Sequence, residues 1–565
     1  MPAQNTASIL MQAGSEAPDQ VIVRLVQNKT EDQAITYREL IQHAAGVADA
    51  LERATIKPGD LIILLLSRER DLLFGFFGAI LHGAIPSIMP YLTEKLSPEH
   101  YRQSLAALFN TSHPAAVITY PEFVPEVELA AASTPTLRVI LVSDKIQAID
   151  EPAAERLHGT KCPPDQIVLL QHSSGTTGLQ KGVALSHQSL LNQLESYRGA
   201  IRLDSSDLVV SWLPLYHDMG LIAGFLLPIL TRTPLVLMSP FDWVRAPYKL
   251  MQAVSRYRGT LTWLPNFAYN FCAQKIRDHQ LEGVDLTSWR AVINCSEPIH
   301  LKSHQMFLDR FASYGFNSQS LATSYAMAEN VFAITQGGID QALRSEVIDG
   351  RKFHSEKIAQ PISHGDAAIH MVSSGRAINH THIRVLDNSG HALPDRHLGE
   401  IALQSNCLLT GYYNRPDLTE KAFNNNWYLT GDLGYLADGE LYVTGRKKDL
   451  IIVGGKNIYP QDLERLAEEV PGVHPGRVVA FGVYNEISGT EDVVLLGEVD
   501  TNDEGERLQI ADQIRSQVTR ASDIALRYVE VIDRGWLLKT SSGKIARSAN
   551  RDKYLSVSRA QHNEP

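Results

Sequence analysis

Residues 173–182 read SSGTTGLQKG, which sets two serines, two threonines and three glycines around one lysine, Lys181. A glycine-rich and hydroxyl-rich turn with a single cation offers backbone N–H groups, O–H donors and a point charge together, the set that binds a polyphosphate. ATP is the first candidate. The familiar phosphate loop, G-x-x-x-x-G-K-[ST], leads from a strand into a helix. Here Gln180 precedes Lys181, Gly182 follows it, and Val183, Ala184 and Leu185 read as a second strand. The stretch is therefore not that motif, and a ligand-free Ser/Gly surface turn is the alternative to a phosphate site.

Six further clusters follow in order: WLPLYHDMG (212–220), CSEPI (295–299), TSYAMAEN (323–330), YLTGDLGYL (428–436), GRKKDLIIVGGKNIYPQDLE (445–464) and KTSSGKIAR (539–547). With SSGTTGLQKG they resemble the motifs of the adenylate-forming superfamily, and the resemblance covers nearly the whole chain. It implies that Ser173, Ser174, Gly175, Thr176, Thr177, Gly178 and Lys181 clamp the β- and γ-phosphates of ATP. By the same carry-over, Glu329 holds Mg²⁺, a hard cation that prefers oxygen ligands. Tyr325 stacks on adenine, with a core aromatic as its bland alternative, and Ser296, Glu297 and Pro298 line the other adenine face. Asp432 binds the ribose hydroxyls, Arg446 makes a second ribose or phosphate contact 14 residues on, and Lys448 falls at the hinge. Lys544 bridges the attacking carboxylate and the α-phosphate, where a cation offsets the repulsion of two anions. The catalytic candidates are Lys544, His217 and Glu329.

His217 stands where family members that activate amino acids carry an aspartate for the substrate ammonium. An imidazole there favours a plain carboxylic acid, although Asp218 is adjacent. WLPLYHDMGLIAG and VTGRKKDLIIVGGKNIYPQDLE look most like fatty acyl-AMP ligases. So does the long step of 46 residues from Glu329 to Gly375. It resembles the extra segment of those enzymes, which implies a restrained small domain and a poor fit for CoA. The resemblance implies activation of a fatty acid to acyl-AMP and transfer to the phosphopantetheine of a separate acyl carrier protein. An acyl-CoA ligase is the alternative, and a non-catalytic acyl- or nucleotide-binding protein is the alternative of another class. Arg515, Arg520 and Arg527 are candidates for a carrier-binding patch, and Trp263, Phe267, Asn270 and Phe271 for the acyl pocket.

These residues need scaffolds of two kinds. From about residue 20 to 240, apolar runs such as LIILLLS, AAVITY, IVLLQ and LVVSWLP alternate with helical patterns, the mark of an α/β protein with largely parallel sheets. Beyond about residue 375 come short strands with hairpin signals at DNSG and ADGE, then a smaller mixed unit with a helix over 506–522. The expected fold class is α/β: a large N-terminal adenylation domain (1–447) of packed mostly parallel sheets with a β-rich subdomain, and a small mobile α+β C-terminal lid (448–565) carrying the lysine.

A length of 565 residues exceeds what one core usually supports. A net charge of −11 gives no nucleic-acid surface, and the longest apolar windows fall short of a bilayer span of ~20 residues. Four widely spaced cysteines form no C-x-x-C pair, and the N-terminus lacks a signal pattern, so a cytoplasmic protein is expected.

Overall fold

The computed structural model describes residues 5–27, 30–91, 98–150, 152, 156–173, 181–365, 368–453, 456–485, 490–522, 526–540 and 543–562. Two sheets of the expected α/β kind form its first part. One runs Leu321–Thr323, Ala291–Asn294, Leu261–Leu264, Val209–Ser211, Leu235–Leu237 and Val21–Leu25, all parallel, and ends on the antiparallel edge strand Gln33–Thr36. The other runs Ile85–Ile88, Leu61–Leu65, Ala116–Thr119 and Val139–Val142, parallel throughout. Strands such as Leu61–Leu65 are buried along their whole length, which is why they read as continuous apolar runs rather than alternating ones.

The strand expected after Lys181 is present: Lys181–Ser186 pairs antiparallel with Ile167–Ser173, so that Ser173 faces Lys181. Ser186 ends the strand and caps the helix His187–Ala200, its hydroxyl accepting from Ser189 N–H while the Ser189 hydroxyl pairs back to Ser186 N–H. On its other edge this strand takes the two-residue strand Gly411–Tyr412.

The β-rich portion is a five-stranded antiparallel sheet built around Trp427–Ala437, which pairs with Gly399–Ser405, Phe423–Asn424 and Glu440–Arg446. The ADGE signal closes a two-residue hairpin, with Ala437 opposite Glu440 and both Asp438 and Gly439 at positive φ. The small C-terminal unit has the sheet Val473–Asn485, Thr490–Val499 and Tyr528–Asp533. The helix expected over 506–522 spans Glu504–Ser522. Its core (Ile451, Leu463, Val478, Leu495, Ile514 and neighbours) is a separate cluster from the large one running from Ala7 to Leu441.

The long step after Glu329 folds into the strand Ser345–Asp349, the helix Gly350–Glu356 and the strand Ala368–Val372. Asp349 caps that helix by accepting from Arg351 N–H and Lys352 N–H. Phe353 packs with Ile348, Tyr435, Tyr442 and Tyr459. Among the described residues no helix is long and apolar enough to cross a membrane.

Candidate active site

The large parallel sheet and the β-rich sheet bring several of the sequence-selected residues near one another. Asp432 and Arg446 are direct cross-strand partners, with Arg446 Nε 3.2 Å from Asp432 Oδ1. Tyr325 donates its hydroxyl proton to Asp432 Oδ2 at 2.6 Å. Tyr325 is itself buried in the main core, as its core-aromatic alternative expects. Burial and the charge of Asp432 push its phenol well above the ordinary value, so it remains a donor.

Glu329 sits in the short turn Ala328–Asn330. The next residue, Val331, is held at φ 63° and ψ −54°, with Phe332 N–H donating to Asn330 O at 2.6 Å. That is a strained γ-turn at a β-branched residue, a cost met at sites that must aim a side chain. Its carboxylate is 2.9 Å from the Tyr412 hydroxyl. Burial raises the Glu329 carboxyl above its ordinary value, and the charges of Asp218 and Asp432 add to the rise. Ser296 is also at positive φ, 71°. Beside it, Glu297 accepts from Phe267 N–H at 2.9 Å and so caps the helix Asn266–Lys275, a task of its side chain that its sequence did not disclose.

His217 and Asp218 precede an eight-residue π-helix, Met219–Leu226, whose first N–H is accepted by Asp218 Oδ1 at 2.8 Å. Helices of this kind are rare and cluster at functional sites. Burial, and then the charge of Lys544, bring the His217 imidazole down to about 3, so it is neutral. Its Nε2 is buried and has no hydrogen-bond partner among the described residues. An orphan of that kind is satisfied by a ligand atom or water.

Lys544 comes from the other end of the chain, in a tight loop where Gly543 N–H donates to Thr540 O and Thr540 N–H to Lys544 O. Its charge acts on His217, Asp218 and Glu297. A Cβ on Gly543 would lie 3.8 Å from the Phe267 ring. Phe267 belongs to an aromatic cluster in which Trp212 and Trp243 stack at 3.5 Å, with Phe267 edge-on to both and Phe271 beside Trp243. Asn270 Oδ1 is buried without a partner among the described residues.

Trp263, buried like Trp243, lies apart from these rings and donates its indole N–H to the Tyr197 hydroxyl at 2.7 Å. The carrier-patch arginines are also partly engaged, Arg515 with Asp512 and Arg527 with Asp492. Lys181 stands with its ammonium 4.9 Å over the Tyr412 ring. Ser174, Gly175, Thr176, Thr177 and Gly178 lie outside the described residues, and Ser173 is described only as the strand end that pairs with Lys181. Pro298 falls in the non-helical stretch leading to the helix Leu301–Phe311.

The AMP-binding enzyme family matches residues 10–413. The chain belongs to that family. It is 29% identical over 531 residues to a putative acyl-CoA synthetase of Caulobacter vibrioides, covering 93% of this chain and 91% of that protein. It is also 29% identical over 554 residues to the medium-chain-fatty-acid–[acyl-carrier-protein] ligase JamA of Moorena producens, covering 94% and 91%. Among solved structures it resembles one from a study of fatty acyl-adenylate ligases of E. coli and L. pneumophila, with a TM-score of 0.89, 26% identity and 99% of both chains covered.

Proposed function

We propose that the protein activates a fatty acid in two steps. A carboxylate oxygen attacks the α-phosphorus of ATP, the bond to the bridging oxygen of the β-phosphate breaks, and acyl-AMP and pyrophosphate form. The acyl group then passes to the thiol of phosphopantetheine on a separate acyl carrier protein, and AMP leaves. The observation that carries this reading is the approach of Gly543, next to Lys544 in the C-terminal unit, to Phe267, whose N–H donates to Glu297, with the Lys544 charge felt at His217, Asp218 and Glu297. A cation delivered there offsets the repulsion between carboxylate and phosphate as charge builds at phosphorus. His217, neutral and with Nε2 unpartnered among the described residues, can donate from its Nε2–H tautomer to a carboxylate or acyl-phosphate oxygen.

In this reading Asp432 and Arg446 hold the ribose, Tyr325, Ser296, Glu297 and Pro298 border the adenine, and the loop from Ser173 to Lys181 holds the β- and γ-phosphates. Glu329 is the protein ligand of Mg²⁺. Glu329 has one oxygen engaged by Tyr412, and the described residues contain no group of three or more His, Cys, Asp and Glu side chains able to hold a metal. One carboxylate fits Mg²⁺, which keeps several waters and otherwise uses substrate phosphates. Bound there, the ion would neutralise charge on the phosphates. The separate core of the C-terminal unit supports a division into an adenylation domain (1–447) and a lid (448–565) about Lys448.

Two features favour a fatty acid delivered to a carrier protein. The cluster of Trp212, Trp243, Phe267 and Phe271 beside Gly543 is aromatic, and His217 offers no anion to a substrate ammonium. The segment 345–372 packs Phe353 against Tyr459, at the root of the C-terminal unit, as a brace on the lid would. The likeness to a carrier-protein ligase agrees with this, whereas the Caulobacter relative keeps CoA as the second acceptor reading. Four unpaired buried cysteines suit the cytoplasm. The test is pyrophosphate exchange into ATP across straight-chain fatty acids and α-amino acids. Exchange with fatty acids alone is expected; exchange with amino acids alone, or with none of the panel, would contradict the reading.

A further inference from the structure

We propose that Tyr412 is a positioning residue that sets the metal-binding carboxylate Glu329 and the phosphate-loop lysine Lys181 in one fixed geometry. The proposal rests on the roles assigned to those two residues above. Three contacts meet on this one side chain. Its ring lies 4.9 Å beneath Lys181 Nζ, its hydroxyl is 2.9 Å from Glu329 Oε1, and the same hydroxyl is 3.0 Å from that of Tyr428.

The direction of the hydrogen bonds follows from the groups. An ionised carboxylate only accepts, so the single phenolic proton of Tyr412 is committed to Glu329. Tyr428 must then donate to the Tyr412 oxygen. The chain Tyr428 to Tyr412 to Glu329 has one polarity, and it occupies Oε1 of the carboxylate while leaving Oε2 for a cation. The ring face, at the same time, attracts the Lys181 ammonium through its quadrupole. Lys181 forms no ion pair among the described residues, and the ring contact is one that orients its ammonium.

The backbone around Tyr412 is built to hold it there. Tyr412 faces Val183 on the strand that begins at Lys181. Thr410 N–H donates to Ala184 O at 2.9 Å, and Tyr413 N–H to Gly182 O at 2.8 Å. On the other side, Leu409 N–H donates to Glu329 O at 2.8 Å, and Tyr412 N–H to Thr419 Oγ1 at 2.9 Å. Segment 409–413 is thus fastened to the lysine strand and to the glutamate turn, with Tyr412 buried between them. A phenol is the one side chain that can offer an aromatic face to one neighbour and an O–H to another from this position.

The experiment is calorimetric binding of a non-hydrolysable ATP analogue to the full-length protein, with EDTA and with Mg²⁺, which reads affinity rather than turnover. Tyr412→Phe keeps the ring and removes the hydroxyl. It should leave metal-free affinity unchanged and cut the Mg²⁺-dependent gain about tenfold. Tyr412→Leu should in addition lower metal-free affinity by roughly two- to fivefold, from the lost contact to Lys181. Glu329→Gln is the reference. If it abolishes the Mg²⁺-dependent gain and Tyr412→Phe leaves that gain at the wild-type value, the positioning role of Tyr412 is overturned while the metal role of Glu329 stands. If Glu329→Gln itself keeps the full gain, the metal role of Glu329 fails and the proposal with it.

Discussion

Arg446 and Asp432 stand opposite each other on adjacent antiparallel strands, Nε to Oδ1 at 3.2 Å, and Tyr325 O–H closes on the other carboxylate oxygen at 2.6 Å. The carboxylate is thus aimed before nucleotide binds. Asp432→Asn removes the charge and keeps the shape. It should lower kcat/KM for ATP by roughly 10- to 100-fold, the worth of a hydrogen bond to a charged group at about 1.5–3 kcal/mol, measured by pyrophosphate exchange. An unchanged value would remove Asp432 from the nucleotide site.

Lys544 predicts a separation of the two half-reactions. Lys544→Ala should reduce acyl-AMP formation by roughly 10²–10³-fold, the range for losing a preorganised electrostatic contact. Transfer from acyl-AMP supplied ready-made should survive, because that step needs no bridge between carboxylate and phosphate. Equal loss in both half-reactions, followed in single turnovers, would assign the lysine to folding of the lid instead.

Phe353 is the buried link between the segment 345–372 and Tyr459. Phe353→Ala should cost about 3–5 kcal/mol of local stability, the usual range for emptying a buried phenylalanine site, read by denaturant unfolding. The same variant should discharge acyl-AMP onto free CoA faster than the wild type does. Loss of stability with no gain in CoA use would make the segment a structural feature without influence on the acceptor.

Glu468 lies where the C-terminal unit faces Lys302 of the large unit, and its carboxylate accepts from Gly476 N–H at 2.9 Å. Burial, with Glu464 adding to it, pushes its carboxyl from 4.5 up to about 7. A folded-state value above the unfolded one means the protonated form stabilises: the contribution is complete below 4.5 and is lost as pH rises through about 7. The melting temperature of wild type relative to Glu468→Gln should therefore fall between pH 5 and 8. A difference constant with pH would contradict it.

Much of this was legible in the sequence where a local rule applied. The β-branched and apolar run after Lys181 marks a strand, and Lys181–Ser186 is one. ADGE marks a two-residue turn, and that turn, together with a register shift between Leu433 and Gly434 that the sequence does not announce, makes Asp432 and Arg446, 14 residues apart, direct partners. Other features depend on contacts with no local signature. Tyr412 meets Glu329 across 83 residues, and nothing in GYYNRPD distinguishes its hydroxyl from that of the next tyrosine. The run MGLIAGFL is apolar at every position but its glycines, so it has no period from which a π-helix could be read. Trp263 shows the converse, because an aromatic on a buried strand looks the same whether it lines a pocket or fills a core.

The most direct test of the account is the fate of the adenylate. The protein is incubated with ATP, Mg²⁺ and dodecanoate, then divided among free CoA, a phosphopantetheinylated carrier protein, and neither, with products read by mass spectrometry. The account predicts acyl-AMP that persists in the presence of CoA and disappears as acyl-carrier forms. Rapid conversion to acyl-CoA, with the carrier left unloaded, would contradict it.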